Sequence, residues 1–164
     1  LEEICETVMT LELPKDCEII DIGAGTGRAG RFLKKEGFTK IDAIDASQRY
    51  IESLDATEAY RNKHHLYLGM GKYPFEEHKD HYDLVVCAGV WLPGHIPWEG
   101  MAEVVACMKP GALWVTAMRT CMYTVGTPQR YRECIDALLA EGKIELMQTR
   151  TFMRGDPCAT NPLW

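Results

Sequence analysis

The chain has no surplus of basic residues: 18 Lys and Arg stand against 24 Asp and Glu over 164 residues, a formal charge of −6. Nonspecific attraction to nucleic acid or to an anionic membrane needs a basic face, so neither partner is expected. The sequence also lacks any apolar run approaching about 18 residues, and no charged segment leading into an apolar stretch opens it. The expectation is a soluble chain with an intracellular, cytoplasmic location. Seven cysteines are present, Cys5, Cys17, Cys87, Cys107, Cys121, Cys134 and Cys158, without a single Cys-x-x-Cys pair. Scattered among apolar residues, they look like reduced core thiols, and neither a disulfide framework nor a metal centre is expected. Linkers, repeats and low-complexity segments are missing too. With 46% hydrophobic and 26% charged residues the chain can bury a core, and one domain over residues 1–164 is expected.

What is present is an alternation of apolar runs and helical patterns, punctuated by Gly and Pro. It predicts an α/β fold: a doubly wound, mostly parallel Rossmann-like sheet with helices on both faces. Glu18–Ile22 reads as a strand, followed by a helix with Ala29, Phe32 and Leu33 on one face that stops at Gly37. Lys40–Ile44 reads as a second strand ending in Asp45, with Ser47 as N-cap of a helix carrying Tyr50, Ile51 and Leu54. A third strand is placed at His64–Leu68, closed by Gly69. Tyr82–Gly89 is the most continuous apolar stretch and suits a central strand buried on both faces. Met101, Val104, Val105 and Met108 follow helical spacing up to the turn Lys109-Pro110-Gly111, which releases a strand Ala112–Met118. Thr127 and Pro128 suit N-cap and N1 of a helix with Tyr131, Cys134, Ile135, Leu138 and Leu139 on one face, and a last strand is placed at Lys143–Phe152.

The chemistry concentrates in Asp21-Ile22-Gly23-Ala24-Gly25-Thr26-Gly27, at the carboxyl end of the first strand. Glycines there admit positive φ and let the backbone approach a ligand, and the next helix turns N–H groups toward it. Asp45, at the end of strand two, offers two acceptor oxygens to the hydroxyls of a ribose. Gly25-Thr26-Gly27-Arg28-Ala29-Gly30 also spells the dinucleotide fingerprint, so an NAD-binding module stays open as an alternative. Asp21 favours the other nucleoside cofactor of this logic: an acid at the strand tip suits a ligand carrying an ammonium group and works against a pyrophosphate.

Further short motifs accompany the loop: Ile44-Asp45-Ala46-Ser47, Leu68-Gly69, Pro93-Gly94-His95-Ile96-Pro97, Lys109-Pro110-Gly111-Ala112-Leu113 and Val115-Thr116-Ala117-Met118-Arg119-Thr120. In these the chain, over about residues 15 to 153, resembles class I S-adenosylmethionine-dependent methyltransferases. Within that class it is most similar to the methyltransferase-like proteins first described from the Williams-Beuren syndrome chromosomal region. The resemblance implies a seven-stranded sheet with a final antiparallel hairpin. It also implies S-adenosyl-L-methionine as cofactor. Asp21 with Gly23, Ala24, Gly25, Thr26 and Gly27 would face its methionine moiety, Asp45 the ribose, and Ala46 an edge of the adenine. Gly69 and Met70 would close the adenine side; many relatives carry an Asp at the second position, so here only backbone and apolar contacts are expected. Ala88, Gly89 and Val90 would lie under the sulfonium and the donor methyl.

Methyl transfer from a sulfonium needs alignment above all, and a base only for a poor nucleophile, so the chemistry compels no particular catalytic residue. The place after strand four reads Ala88-Gly89-Val90-Trp91, without the Asn/Asp-Pro-Pro-aromatic tetrad that enzymes methylating adenine or glutamine amides share. Cys87, Ala88 and Met118 cannot hold the Mg²⁺ of catechol-type enzymes. A small-molecule acceptor is expected, with a protein side chain second; a domain that binds the cofactor without turnover is the alternative. On the acceptor side, Trp91 and Trp98 could wall an apolar substrate or simply pack their loop. His95 is either a general base or a solvent-facing loop residue. Arg119 could pair with an acceptor carboxylate or with a surface acid. His78 and His81, beside Asp80 and Asp83, suggest a metal but read equally as a polar loop. Only Leu1–Leu13 precedes the first strand, and Met153–Trp164 with Pro157 and Pro162 suits a strand poorly. A domain short of the family's N-terminal lid and last strand is therefore expected. In a complete chain that leaves the pocket open; in a piece of a longer one, acceptor specificity lies in what is missing.

Overall fold

Short apolar runs bounded by Gly, Pro or acidic residues build one sheet in the computed structural model, which describes residues 1–70 and 76–152. Its strands are β1 (Glu18–Ile22), β2 (Lys40–Asp45), β3 (Asn62–His65), β4 (Tyr82–Ala88) and β5 (Met108–Ala117). They lie in the order β3-β2-β1-β4-β5 with every neighbouring pair parallel. The helices are α1 (Glu2–Thr10), α2 (Arg28–Lys35), α3 (Gln48–Ser53), α4 (Gly100–Cys107) and α5 (Tyr131–Ala140). This is the doubly wound, Rossmann-like fold read from the alternation.

Period-two alternation along buried strands splits the core into two layers. Ile19, Leu84 and Val86 pack with Ile4 and Val8 of α1 and Leu33 of α2. Their neighbours Ile20, Val85 and Cys87 turn the other way, toward Met101, Val104 and Cys107 of α4 and Tyr131 and Leu138 of α5. β4 has no solvent face over Leu84–Cys87, as a central parallel strand requires. The chain leaves β1 for β2 on one side and reaches β4 on the other. Such a reversal opens a crevice at the carboxyl ends of β1 and β4.

Several expectations change. β3 runs over Asn62–His65, not His64–Leu68, because the Asp42 carboxylate accepts from the Asn62 backbone and amide at 3.2 and 3.1 Å and starts the pairing there. Leu68 then leaves the sheet for the core beside α4. The Lys109–Ala112 turn is a bulge inside β5: Tyr82 pairs with Met108, and pairing resumes only at Leu84 with Leu113. Met108 therefore belongs to β5, not to the helix. Thr127 and Pro128 do not cap α5. Pro128 takes the second position of a turn closed by the Arg130 N–H to the Thr127 carbonyl at 3.1 Å, and Arg130, at φ 53°, precedes a helix that starts at Tyr131. Residues 144–152 form no strand, and Leu146 and Met147 are exposed. Among the described residues the sheet has five parallel strands and no antiparallel hairpin. Cys158 and the rest of 153–164 lie outside the described residues.

Other local signals hold. Ser47 caps α3, its Oγ accepting from the Tyr50 N–H at 3.4 Å. α2 buries Ala29 and Leu33, and Gly142, at φ 67°, ends α5 with its N–H on the Leu139 carbonyl. No helix among the described residues is long and apolar enough to cross a membrane.

Candidate functional site

The loop after β1 is held by backbone bonds that leave one side of it open. The Gly23 and Ala24 N–H groups both donate to the Ile44 carbonyl, at 2.8 and 3.1 Å, and Gly27 closes back on Ala24 at 2.8 Å. Gly23, Gly25 and Gly27 all have positive φ, a conformation that side chains rarely adopt. A Cβ on Gly23 would overlap Val90, whereas one on Gly25 would meet nothing nearer than 3.9 Å. Gly89, just beyond β4, also has positive φ and open space around the missing Cβ. The crevice thus has two bare backbone surfaces, at Gly25 and at Gly89.

Asp45 stands beside the first of them, at the tip of β2. One carboxylate oxygen accepts from the Gly25 N–H and the other from the Ser47 N–H, both at 2.8 Å. The group is 9% exposed, and each oxygen retains acceptor capacity. Two rigid donors from different segments fix its orientation before any ligand arrives. Ala46, next along, is exposed, and its carbonyl lies 2.9 Å from His65 Nε2.

Asp21 is placed differently from the expectation. It is 1% exposed, and its Oδ2 accepts from the Tyr60 hydroxyl at 2.6 Å. The Gly30 N–H in turn donates to that hydroxyl oxygen at 3.1 Å. Burial pushes the Asp21 carboxyl up to about 6, against the pull of the Tyr60 hydrogen bond. Asp21 therefore braces the loop from behind and presents no face to an ammonium group. Tyr60 is the partner that local reasoning missed. Its signal is Gly30, where a Cβ would overlap the tyrosine ring.

Beyond β3, Gly69 has positive φ and donates its N–H to Glu103, and the Met70 side chain is 72% exposed. At the end of β4, Ala88 is half-buried, Gly89 exposed, and Val90 buried against Gly23. Gly23, Ala24, Gly25, Thr26, Gly27, Asp45, Ala46, Gly69, Met70, Ala88, Gly89 and Val90 thus all follow or end strands at one end of the sheet.

The acceptor-side candidates separate. Trp91 is core: it is 1% exposed, its Nε1–H donates to Thr116 Oγ1 at 2.7 Å, and Trp114 and Tyr131 pack edge-on against it. It cannot wall a substrate. Thr116→Val removes the acceptor and should cost about 1 kcal/mol in urea unfolding, the usual effect of orphaning a buried donor. An unchanged midpoint would contradict the bond. Trp98 is partly buried under the Arg130 guanidinium, 4.8 Å from the ring centre. His95 is exposed, with Nδ1 3.3 Å from the Pro93 carbonyl. Its loop is tied down from α5, where the Tyr131 hydroxyl reaches the carbonyls of Leu92 at 3.2 Å and Ile96 at 2.8 Å. Arg119 is exposed just past β5 and forms no ion pair among the described residues.

His78 stacks on His81 and lies 2.9 Å, through Nδ1, from the Tyr82 hydroxyl. With Asp42 and His64 it makes a group with the donor types of a metal site. The Asp42 oxygens are already committed, however: Arg61 donates to both at 3.0 and 2.8 Å, Asn62 twice, and Tyr82 once. Burial works to raise the Asp42 carboxyl, but the guanidinium outweighs it and holds the group below its ordinary range. This is an ion-pair network that secures β2 and β3, continued by Arg61 to Glu18 at 2.6 Å.

Comparison with known proteins identifies the family and the fold. The profile of a family described as a methyltransferase domain matches residues 20–114. Human Methyltransferase-like protein 27 is 27% identical over 126 residues, 77% of this chain and 49% of that protein; the chain spans about half the length of the curated relative it matches. A TehB-like SAM-dependent methyltransferase from Corynebacterium glutamicum superposes over 82% of this chain and 71% of its own, with TM-score 0.63 and 18% identity. A precorrin-6y C5,15-methyltransferase from Geobacter metallireducens does so over 86% and 71%, with TM-score 0.60 and 20% identity. Both structures share the fold.

Proposed function

The chain belongs to the methyltransferase domain family, and on that premise we propose that it transfers a methyl group from S-adenosylmethionine to a small-molecule acceptor. The observation that carries this reading is Asp45, held at the tip of β2 by the Gly25 and Ser47 N–H groups beside the bare backbone of the crevice. A ribose diol needs two fixed acceptors, and the carboxylate offers them. The cofactor of this family is S-adenosylmethionine, and the residues present fit it: a glycine loop without side chains, an anchored acid, and an uncovered strand end at Gly89. When bound it supplies an electrophilic methyl carbon on a sulfonium.

The protein's own work is then positional. The Gly23–Gly27 loop faces the methionine half, Asp45 holds the ribose, Ala46, Gly69 and Met70 border the base, and Ala88–Val90 floor the reacting end. Holding the reactants in line can supply an effective molarity on the order of 10⁵ M or more without any proton transfer. His95 and Arg119 lie on the loops through which an acceptor enters, and they are the side chains with which it can pair. Residues 1–164 act in this reading as one cofactor-binding domain, a place in the Williams-Beuren methyltransferase-like group is supported by the 27% identity to human Methyltransferase-like protein 27, and a protein side chain is the second acceptor class.

Titration calorimetry with S-adenosylmethionine, S-adenosylhomocysteine and NAD tests the reading. The two sulfur nucleosides are expected to bind and NAD not; NAD alone binding would sink it. Radiolabelled methyl transfer into metabolite and protein extracts then reports turnover. Tight cofactor binding with no label in either extract would favour a binding domain over an enzyme.

A further inference from the structure

We propose that Glu103 is a positioning residue for the adenine side of the cofactor site, acting through the backbone of Gly69. This rests on the reading of the crevice as an S-adenosylmethionine pocket. Four acids are buried among the described residues, and three of them, Asp21, Asp42 and Asp45, are accounted for by the loop, the Arg61 network and the ribose site. The fourth is Glu103, 8% exposed on α4 among the core residues Met101, Val104 and Cys107. A carboxylate at such a place loses hydration and is favourable only with a partner. The partner is a backbone amide 34 residues away: the Gly69 N–H donates to Glu103 Oε2 at 2.7 Å.

That bond replaces what the sheet no longer provides. β3 ends at His65, and Leu66 makes one more strand-like bond, to the Asp45 carbonyl at 3.2 Å. Gly69 and Met70 are therefore set by contact with α4 and not by strand pairing. The contact is close on both sides. A Cβ on Gly69 would overlap Pro97 and come within 3.2 Å of the Gly100 N, and one on Gly100 would overlap Ile96 and come within 3.4 Å of the Gly69 N. Gly69 also needs its left-handed φ of 81° to turn here. Position 70 is Met, with no side-chain acceptor for the adenine amino group, so the base is bordered by backbone and apolar surface. Backbone recognition works only if the backbone is held, and Glu103 is the side chain that holds it.

Three variants separate reach from charge. Glu103→Gln keeps an oxygen acceptor at the same length; Glu103→Asp keeps the charge but is one methylene shorter; Glu103→Ala keeps neither. Calorimetry with S-adenosylhomocysteine should show affinity within about threefold of wild type for E103Q and a loss of about tenfold for E103D and E103A. Amide exchange at Gly69 should accelerate in the same two variants while β1 and α5 keep wild-type protection. Should E103A fail to fold, E103D and E103Q carry the comparison. The opposite order, with E103D retaining affinity and E103Q losing it, would overturn the proposal by showing that charge and not reach matters. Unchanged affinity in folded E103D and E103A would overturn it as well. If the wild-type chain binds no S-adenosylhomocysteine, the pocket reading fails and this inference with it; the variant series fails separately when wild type binds and the variants bind alike.

Discussion

Asp45→Ala is expected to weaken S-adenosylmethionine binding about a hundredfold, about 3 kcal/mol, in titration calorimetry. The figure follows from the geometry. Two hydroxyl bonds to an ionised acceptor contribute about 1.5–3 kcal/mol each, reduced by whatever water restores in the emptied space. The substitution also orphans the Gly25 and Ser47 N–H groups, so the loop and the start of α3 lose the brace that joins them. Asp45→Asn distinguishes the two effects. It preserves volume and one acceptor oxygen, but its amide NH₂ faces one of the same two donors, so it should fall between wild type and alanine. Wild-type affinity in a folded Asp45→Ala protein would remove Asp45 from the site.

Tyr60→Phe should destabilise the fold by about 2 kcal/mol at pH 7.5 and by clearly less at pH 5, measured by urea unfolding at both. Burial first, and the Asp45 charge with it, raise the Asp21 carboxyl from 3.8 to about 6, and the Tyr60 hydroxyl is the donor that opposes them. The folded state therefore holds this proton more tightly than the unfolded chain. Stability contributed by the group is complete below about pH 4 and is lost as pH rises through about 6. Without the hydroxyl the ionised carboxylate is buried with less compensation, so the penalty grows over the window in which Asp21 ionises. An equal penalty at the two pH values would show that Asp21 does not ionise there or does not depend on Tyr60.

The residues that sequence alone located and those it did not differ in how far apart their partners lie along the chain. The glycine loop, Asp45 and the Ser47 cap are local devices, in which residue type, spacing and turn geometry coincide within a few positions. The parallel sheet was legible for a related reason: the short segments Glu18–Ile22, Lys40–Asp45 and Tyr82–Ala88, rich in Ile, Val and Ala, alternate with helical patterns. Tyr60 and Glu103 act on segments 39 and 34 residues away, and their side chains carry no local sign of that work. Asp21 was located correctly in the chain but assigned to a ligand, because an acid at a strand tip looks alike whether it faces a pocket or a buried tyrosine. Trp91 beside a Pro/Gly loop invited a substrate role, but its burial and its bond to the Thr116 hydroxyl place it in the core. The Thr-Pro pair before α5 fits a helix cap and a turn equally well, and the left-handed Arg130 decides for the turn. Residues 144–152 have strand-like composition without a strand, which shows how little apolar content alone says about pairing.

The Tyr131 hydroxyl has a consequence for how such a protein can change. It secures the carbonyls of Leu92 and Ile96, the two ends of a short arch whose crown, Pro93-Gly94-His95, is exposed. Pro93 and His95 can thus be exchanged while their flanks stay fastened to α5, whereas Gly94, at φ 78°, is held to glycine. On the proposed function, new preferences for a methyl acceptor can accumulate at those two positions, with no disturbance to the glycine loop and Asp45 assigned to the cofactor. On that reading, acceptor choice and cofactor binding sit on separate parts of the chain.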